Sequence, residues 1–315
     1  MPPLSDFGST KRRLSGLFDL QVNGFAGIDF QRPTSAADVR HACDQLRLRG
    51  VTRILATLIT NTADAMARQL ESFENFRRTA PVVRDTIVGY HLEGPYLSAE
   101  LGFRGAHPGE LMKDPDAKEF ARWQEAAGGA IRLVTLAPER RGSDEFIATV
   151  TARGVRVSLG HTNADDRAID AAVRAGATLC THLGNGCPGD LPRHDNIVQR
   201  LLARDELTAC FIPDGVHLPP FVLRNLFRAK PAGKVILTTD AMAAAGAAPG
   251  RYTLGALEME VGTDRVVRMP GAKNLAGSAL TLDDGVANAA AWLGISPAAA
   301  CALASSVPAE LLGYD

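Results

Sequence analysis

Eight short apolar runs recur along this chain, each followed by a polar or charged residue. The runs are Leu17 to Val22, Val51 to Ile59, Thr86 to Leu92, Ile131 to Leu136, Val155 to Gly160, Ala177 to Thr181, Leu207 to Pro213 and Lys234 to Thr239. After them come Asn23, Thr60, Glu93, the pair Pro138 and Glu139, His161, His182, Asp214 and Asp240. The stretches between runs have room for a helix. Eight strand–helix alternations predict an α/β fold, the (β/α)8 TIM barrel, whose active site lies at the C-terminal ends of its strands. A core needs neither carboxylates nor imidazoles at those ends. A metal-dependent hydrolytic site does.

The eightfold alternation favours one barrel over two ordinary domains in 315 residues, and a 46% hydrophobic composition supports a large core without staples. The barrel is expected over 15–315, behind a polar tail at 1–14 whose Lys11-Arg12-Arg13 cluster reads as solvated. A formal net charge of -1 argues against nucleic-acid binding, which normally needs a basic excess. The five cysteines (Cys43, Cys180, Cys187, Cys210, Cys301) are scattered and form no C-x-x-C. That suits free thiols in a reduced compartment, with Cys180 and Cys210 as small core residues of predicted strands. No leading apolar segment resembles a signal peptide, and no apolar run approaches the roughly 18 residues of a membrane span. The expected address is the cytoplasm.

Helix signals fill the gaps. Thr34 and Ser35 offer an N-cap with Asp38 behind it, and Val39, Cys43, Leu46 and Leu48 follow at helical spacing up to Gly50. Thr62 to Arg78 and Asn163 to Ala175 read likewise, and Glu110 to Ala127 predicts a helix that begins after Pro115. The stretch Arg251 to Met269 alternates instead around a Gly262-Thr263-Asp264 turn, predicting a β-hairpin outside the barrel. A helix over Thr281 to Leu293 follows it, and one over Ser296 to Ser305 is expected to close the chain.

Glu93, His161 and His182 follow the third, fifth and sixth runs. Strand ends converge at one rim of a closed barrel, so these three can meet at a single ion. Two imidazoles and a carboxylate with one position left open form an accepted catalytic Zn²⁺ set. A lone histidine is better read as structural; three such residues in register point to a divalent ion. Asp240 closes the eighth run, where it can take the proton from a water whose pKa the metal has lowered to near 7. Its alternative role is an N-cap for the next segment. His107 and His217 lie in loops on the same rim, and either can hydrogen-bond a substrate carbonyl or hydroxyl. His41 reads as a surface or packing residue, and His91, on one strand face with Glu93, as structural.

The segments Gly89 to Tyr96 (GYHLEGPY), Arg104 to Pro108 (RGAHP), Leu159 to Ala164 (LGHTNA), Thr181 to Asn185 (THLGN), Asp214 to His217 (DGVH), Thr239 to Met242 (TDAM) and Leu275 to Leu280 (LAGSAL) carry a resemblance. In this order and at these spacings, from about Leu17 to the C-terminus, the chain resembles the N-acetylglucosamine-6-phosphate deacetylase family of the amidohydrolase superfamily. The resemblance implies a catalytic divalent metal held by Glu93, His161 and His182, with Zn²⁺ the expected ion. It implies Asp240 as general base and then acid to the leaving amine, His107 near the acetamido carbonyl, and His217 on a sugar hydroxyl. Asn185 and the backbone of Gly186 would lie near the phosphate. Arg193 stands where the family has an arginine that reaches the phosphate of the neighbouring subunit's substrate, which implies a homodimer.

Departures from the pattern are informative. Many amidohydrolases carry His-x-His after strand one; this chain has Gln21-Val22-Asn23, resembling the single-metal branch, with Gln21 helping to position the water. The family continues Asn185 with Ala-Met and surrounds the arginine as Arg-Glu-Pro-Gly. Here the residues are Gly186-Cys187 and Arg193-His194-Asp195-Asn196, and Gly184 replaces a bulky residue. The family's flanking β-sandwich is expected to be absent or reduced to the Arg251 to Met269 hairpin. The expected activity is hydrolysis of the acetamide of an N-acetyl amino sugar, N-acetylglucosamine-6-phosphate foremost, with no nucleic-acid or membrane partner. Two readings compete: a single-metal amidohydrolase for a different, unphosphorylated or cyclic amide, and a non-catalytic sugar-binding relative. The intact set of Glu93, His161, His182 and Asp240 argues against the second.

Overall fold

The apolar runs become strands that lie side by side in sequence order, all parallel. In the computed structural model, which describes residues 16–32, 34–270 and 275–314, they are β1 (Leu17–Val22), β2 (Val51–Ile59), β3 (Ile87–Glu93) and β4 (Ile131–Leu136). The circuit continues with β5 (Arg156–Leu159), β6 (Leu179–Cys180), β7 (Thr208–Phe211) and β8 (Val235–Leu237). The polar tail expected at 1–14 lies outside the described residues. The strands β5 to β8 are shorter than their apolar runs by two or three residues, lost at both ends, because the ladder hydrogen bonds stop before the apolar pattern does.

Helices fill the connections, and the local signals explain where they start. The first, α1 (Ala36–Leu48), begins at a capping box in which Ser35 Oγ accepts from Asp38 N and Asp38 accepts from Ser35 N. Thr62 caps α2 (Ala63–Thr79). A short α3 (Pro81–Thr86) leads into β3, and α4 (Ala117–Ala126) starts after Pro115 with Asp116 as its cap. After α5 (Ser143–Thr151), α6 (Asp166–Ala175) starts later than Asn163, since Thr162 and Asn163 are bonded to the Glu139 carboxylate. The circuit is completed by α7 (Ile197–Leu202), α8 (Pro220–Ala229) and α9 (Leu282–Leu293).

Two expectations need correction. The stretch read as one hairpin is a three-stranded antiparallel meander of β9 (Gly250–Leu254), β10 (Leu257–Val261) and β11 (Val267–Arg268). A tight turn at Gly255 and Ala256 adds the unanticipated strand, and Leu254, Met259, Val261 and Val267 pack it onto Ile59, Met242 and Ala276 at the barrel rim. The chain also does not close with one helix over Ser296 to Ser305. It forms α10 (Pro297–Leu303) and then α11 (Ser306–Leu312).

The last helix plugs the barrel at the end opposite Glu93. Ala309 packs beneath Phe18, Leu20, Leu133, Leu179 and Ile236, Tyr314 lies edge-on to Phe18 at 5.5 Å, and its hydroxyl donates to Val88 O. Phe18→Ala is expected to destabilise the fold by about 3–5 kcal/mol, measured by denaturant unfolding, because it opens a cavity at this plug. Nearer the rim the interior turns polar. The His91 ring bonds Thr135 Oγ1 (2.7 Å), which meets Thr181 Oγ1 (2.7 Å). Burial pushes the His91 imidazole down to about 4, so it is a neutral structural residue.

The ladder does not run the whole way round. Among the described residues no β8–β1 strand pairing exists; the Phe18 N–H is taken by Ala304 O, and closure rests on a parallel bridge of Val22 with Ala241. No helix of the described residues is long and apolar enough to cross a membrane.

Candidate active site

Glu93 is the last residue of β3, and His161 and His182 follow β5 and β6. All three are buried. His182 Nε2 lies 3.1 Å from Glu93 Oε1 and 3.2 Å from His161 Nε2, and His161 Nε2 lies 3.4 Å from the same carboxylate oxygen. His161 and His182 have φ of +49° and +31°, left-handed values that a side chain adopts only when its surroundings impose them. Gly186 is part of that constraint: a Cβ there would come within 3.0 Å of His182 Cε1 and 3.1 Å of His161 Nδ1.

The donor set fits one divalent ion. His161 Nδ1 lies 2.8 Å from the carbonyl of Phe103, which can only accept, so Nδ1 carries the proton and Nε2 presents a lone pair. Burial raises the Glu93 carboxyl, but hydrogen bonds and positive charge from His161 and His182, when those imidazoles are protonated, outweigh it and hold Glu93 well below its usual range; a cation bound by neutral imidazoles would take over that role. An anionic oxygen and two imidazole nitrogens, all within 4.8 Å of one another, need a cation among them.

Asp240, just beyond β8, has φ of +52°. Its Oδ1 accepts from Asn23 Nδ2 (2.6 Å) and Gln21 Nε2 (3.0 Å), which leaves Oδ2 to the cavity that Asp240 lines. The Gln21 amide also donates to Glu93 Oε1 at 3.0 Å. It bridges the two carboxylates from behind and does not line the cavity. Burial and the charge of Glu93 push the Asp240 carboxyl up to about 7.

The cavity encloses about 210 Å³ and is lined by Glu93, His107, His161, His182 and Asp240 together with Asn185, Gly186 and His217. His107 Nε2 is 3.8 Å from Glu93 Oε2, while its Nδ1 accepts from Thr60 N and meets Thr60 Oγ1 at 2.9 Å. That leaves the proton on Nε2, facing the site. Burial and the neighbouring His161 push His107 down to about 3, so it is a neutral donor. His217 Nδ1 donates to Asp214 Oδ2 at 2.6 Å, and the same carboxylate accepts the N–H groups of Val216 and His217. Among the described residues Asn185 Nδ2 is buried without a partner, a donor still in need of an acceptor. Arg193 is exposed on the loop before α7 and does not line the cavity.

Several residues with a part in this site had no role assigned from sequence: Asn23, Thr60 and Asp214, and the carbonyl of Phe103. The first three stand just past β1, β2 and β7 in the rim pattern. The carbonyl left no side-chain signal.

No family model matches the chain. Curated relatives do: it is 37% identical over 312 residues to N-acetylglucosamine-6-phosphate deacetylase of Rattus norvegicus, covering 95% of this chain and 74% of that protein. The Bacillus subtilis (strain 168) deacetylase is 32% identical over 275 residues, 86% of this chain and 68% of the relative. Among solved structures, a mutant of the Mycobacterium smegmatis deacetylase in complex with N-acetyl-D-glucosamine-6-phosphate superposes with a TM-score of 0.85 at 34% identity, covering 95% of this chain and 77% of that one. The Thermotoga maritima deacetylase gives 0.84 at 27% identity over 97% and 81%. Barrel, rim chemistry and kinship agree: the chain belongs to the N-acetylglucosamine-6-phosphate deacetylase family, hydrolases of a carbon–nitrogen amide bond.

Proposed function

We propose that this enzyme removes the acetyl group of N-acetylglucosamine-6-phosphate by hydrolysis, using one divalent ion, Zn²⁺ in our reading, held by Glu93, His161 and His182. The observation that carries the proposal is the convergence of those three donors beside the Asp240 carboxylate, which lines the same cavity and has one oxygen held by Gln21 and Asn23. Its relatives bear the name of this activity.

When bound, the ion supplies Lewis-acid polarisation and a water of lowered pKa. The protein's own groups do the rest. Asp240 Oδ2 takes a proton from the attacking water as its oxygen bonds to the acetamide carbon. Gln21 and Asn23 hold Oδ1 so that the free oxygen keeps its aim. The neutral His107 donates its Nε2–H toward the carbonyl oxygen, where negative charge develops. Asp240 then passes its proton to the nitrogen as the C–N bond breaks, releasing acetate and the amino sugar phosphate. His217, oriented by Asp214, is suited to a sugar hydroxyl, and Asn185 Nδ2 with the Gly186 backbone to the phosphate end.

Arg193 points to a homodimer in this proposal. It is exposed and outside its own cavity, which suits a guanidinium acting on the site of a neighbouring subunit. A charge-assisted fork on phosphate contributes roughly 1.5–3 kcal/mol. Arg193→Ala is therefore expected to lower kcat/KM for a phosphorylated substrate by about 10- to 150-fold and to leave an unphosphorylated N-acetyl sugar nearly unchanged. Equal slowing of both substrates would remove the phosphate role. The free cysteines suit the cytoplasm, where thiols stay reduced.

The test of the substrate is acetate release from N-acetylglucosamine-6-phosphate, its galactosamine isomer and the two unphosphorylated sugars. The glucosamine phosphate should be turned over best. No preference for phosphorylated sugars would refute the assignment.

A further inference from the structure

Asp19 is a carboxyl residue in the interior of β1, 1% exposed, whose hydrogen-bond partners among the described residues, Gln21, Thr238 and Thr239, are all neutral. Such a group is expensive to bury, so the fold must gain something specific from it. Its Oδ1 accepts from the Thr238 hydroxyl (2.6 Å), from Gln21 N (3.1 Å) and from Thr239 N (3.3 Å), and its Oδ2 from the Thr239 hydroxyl (2.6 Å). Donors so placed need the lone pairs of a carboxylate. These bonds stand where β8 and β1 have no ladder.

Each partner adjoins the chemistry. Gln21 bridges Asp240 to Glu93, and Thr239 directly precedes Asp240. The Thr239 hydroxyl also accepts the N–H of Ala241 (3.0 Å), so the residues on both sides of Asp240 are tied to one buried carboxyl group. From the other side Ser278 Oγ donates to Thr239 O (2.6 Å) and Ser278 N to Asp240 O (2.8 Å). Between these clamps Asp240 has its φ of +52°, a strained conformation for a residue with a side chain that has to be imposed from outside. Asp19 does not line the cavity.

We propose that Asp19 is a positioning residue: through Thr238, Thr239 and Gln21 it aims the Asp240 carboxylate at the proton it transfers. The proposal rests on Asp240 being the general base. A misplacement of about 1 Å in a reacting group can cost about 10²-fold in rate.

A double-mutant cycle on acetate release separates aim from mere folding. Asp19→Ala should lower kcat by about 10²-fold in the wild-type background, with KM changed by less than about 3-fold and metal content unaltered. Asp19→Asn, which keeps an acceptor for the two backbone N–H groups, should recover at least about tenfold of that loss. In an Asp240→Asn background, Asp19→Ala should cost less than about 3-fold more, because the group it aims no longer carries the proton. Should Asp19→Ala not fold, Thr239→Val serves in the same cycle, with about a 10-fold loss expected in wild type and little in Asp240→Asn. Losses that multiply fully in both backgrounds, or a loss carried by KM or metal content, would overturn the positioning role and leave the base assignment intact. An Asp240→Asn enzyme close to wild type would instead bring down the base assignment itself, and this inference with it.

Discussion

Glu93→Ala is expected to abolish metal retention and to lower kcat/KM by at least about 10³-fold, since the transition-state stabilisation lost with the ion is worth several kcal/mol, each 1.36 kcal/mol being tenfold. Metal analysis of purified protein should fall from about one equivalent per chain to near zero. The reason lies in the geometry: Glu93 Oε1 is the anionic corner that both imidazole nitrogens face, at 3.1 and 3.4 Å. Without it two neutral donors remain, too few for a tight structural hold on a divalent ion. Thermal unfolding recorded alongside controls for collapse of the rim. A Glu93→Ala protein that kept its metal and turned over at a comparable rate would show that the ion is held elsewhere.

Asp240→Asn is expected to show the opposite metal phenotype and a similar activity phenotype. It keeps the size and the acceptor for Gln21 and Asn23, so metal should be retained while kcat falls by about 10²-fold or more. The pH profile adds a second signature. Burial and the charge of Glu93 push the Asp240 carboxyl up to about 7, and a cation bound beside it pulls the value down again. The base works only when ionised, so kcat/KM of the metal-loaded enzyme should fall on an acidic limb below pH 7, about tenfold per pH unit once below the pKa. Asp240→Asn should lose that limb. A variant within a few-fold of wild type, with the limb intact, would assign the proton transfer to another group.

The barrel is readable from sequence because each strand is a continuous apolar run, and because the polar residues that the fold gathers around one cavity stand just past the runs. That rule found Glu93, His161, His182 and Asp240 without any contact being known. It weakens where the signal is short or disguised. The turn at Gly255 and Ala256 hides inside an alternating stretch, so β9 and β10 read as one strand. Pro308 sits in the first turn of α11, where a missing N–H costs nothing, yet in a sequence it looks like the end of a helix.

Partners are harder to read than ligands. The carbonyl that fixes His161 belongs to Phe103, 58 residues away, and any residue type carries a carbonyl. Thr60 and Asp214 hold His107 and His217 across or within loops whose course only the fold decides. Gln21 was expected to help position water; the sequence left no sign that its amide also joins two carboxylates. Asp19 did leave a trace, as a polar residue inside the apolar run LFDLQV, but the trace acquires meaning only once β8 is seen to lack its ladder with β1.

Acetate release measured while metal-free protein is titrated with Zn²⁺ tests the central claim most directly, because substrate, chemistry and stoichiometry are read in one trace. With N-acetylglucosamine-6-phosphate as substrate, the rate should rise from near zero in proportion to added ion and break to a plateau at about one equivalent per chain. A break at two equivalents, or full activity in the metal-free protein, would contradict a single ion held by Glu93, His161 and His182.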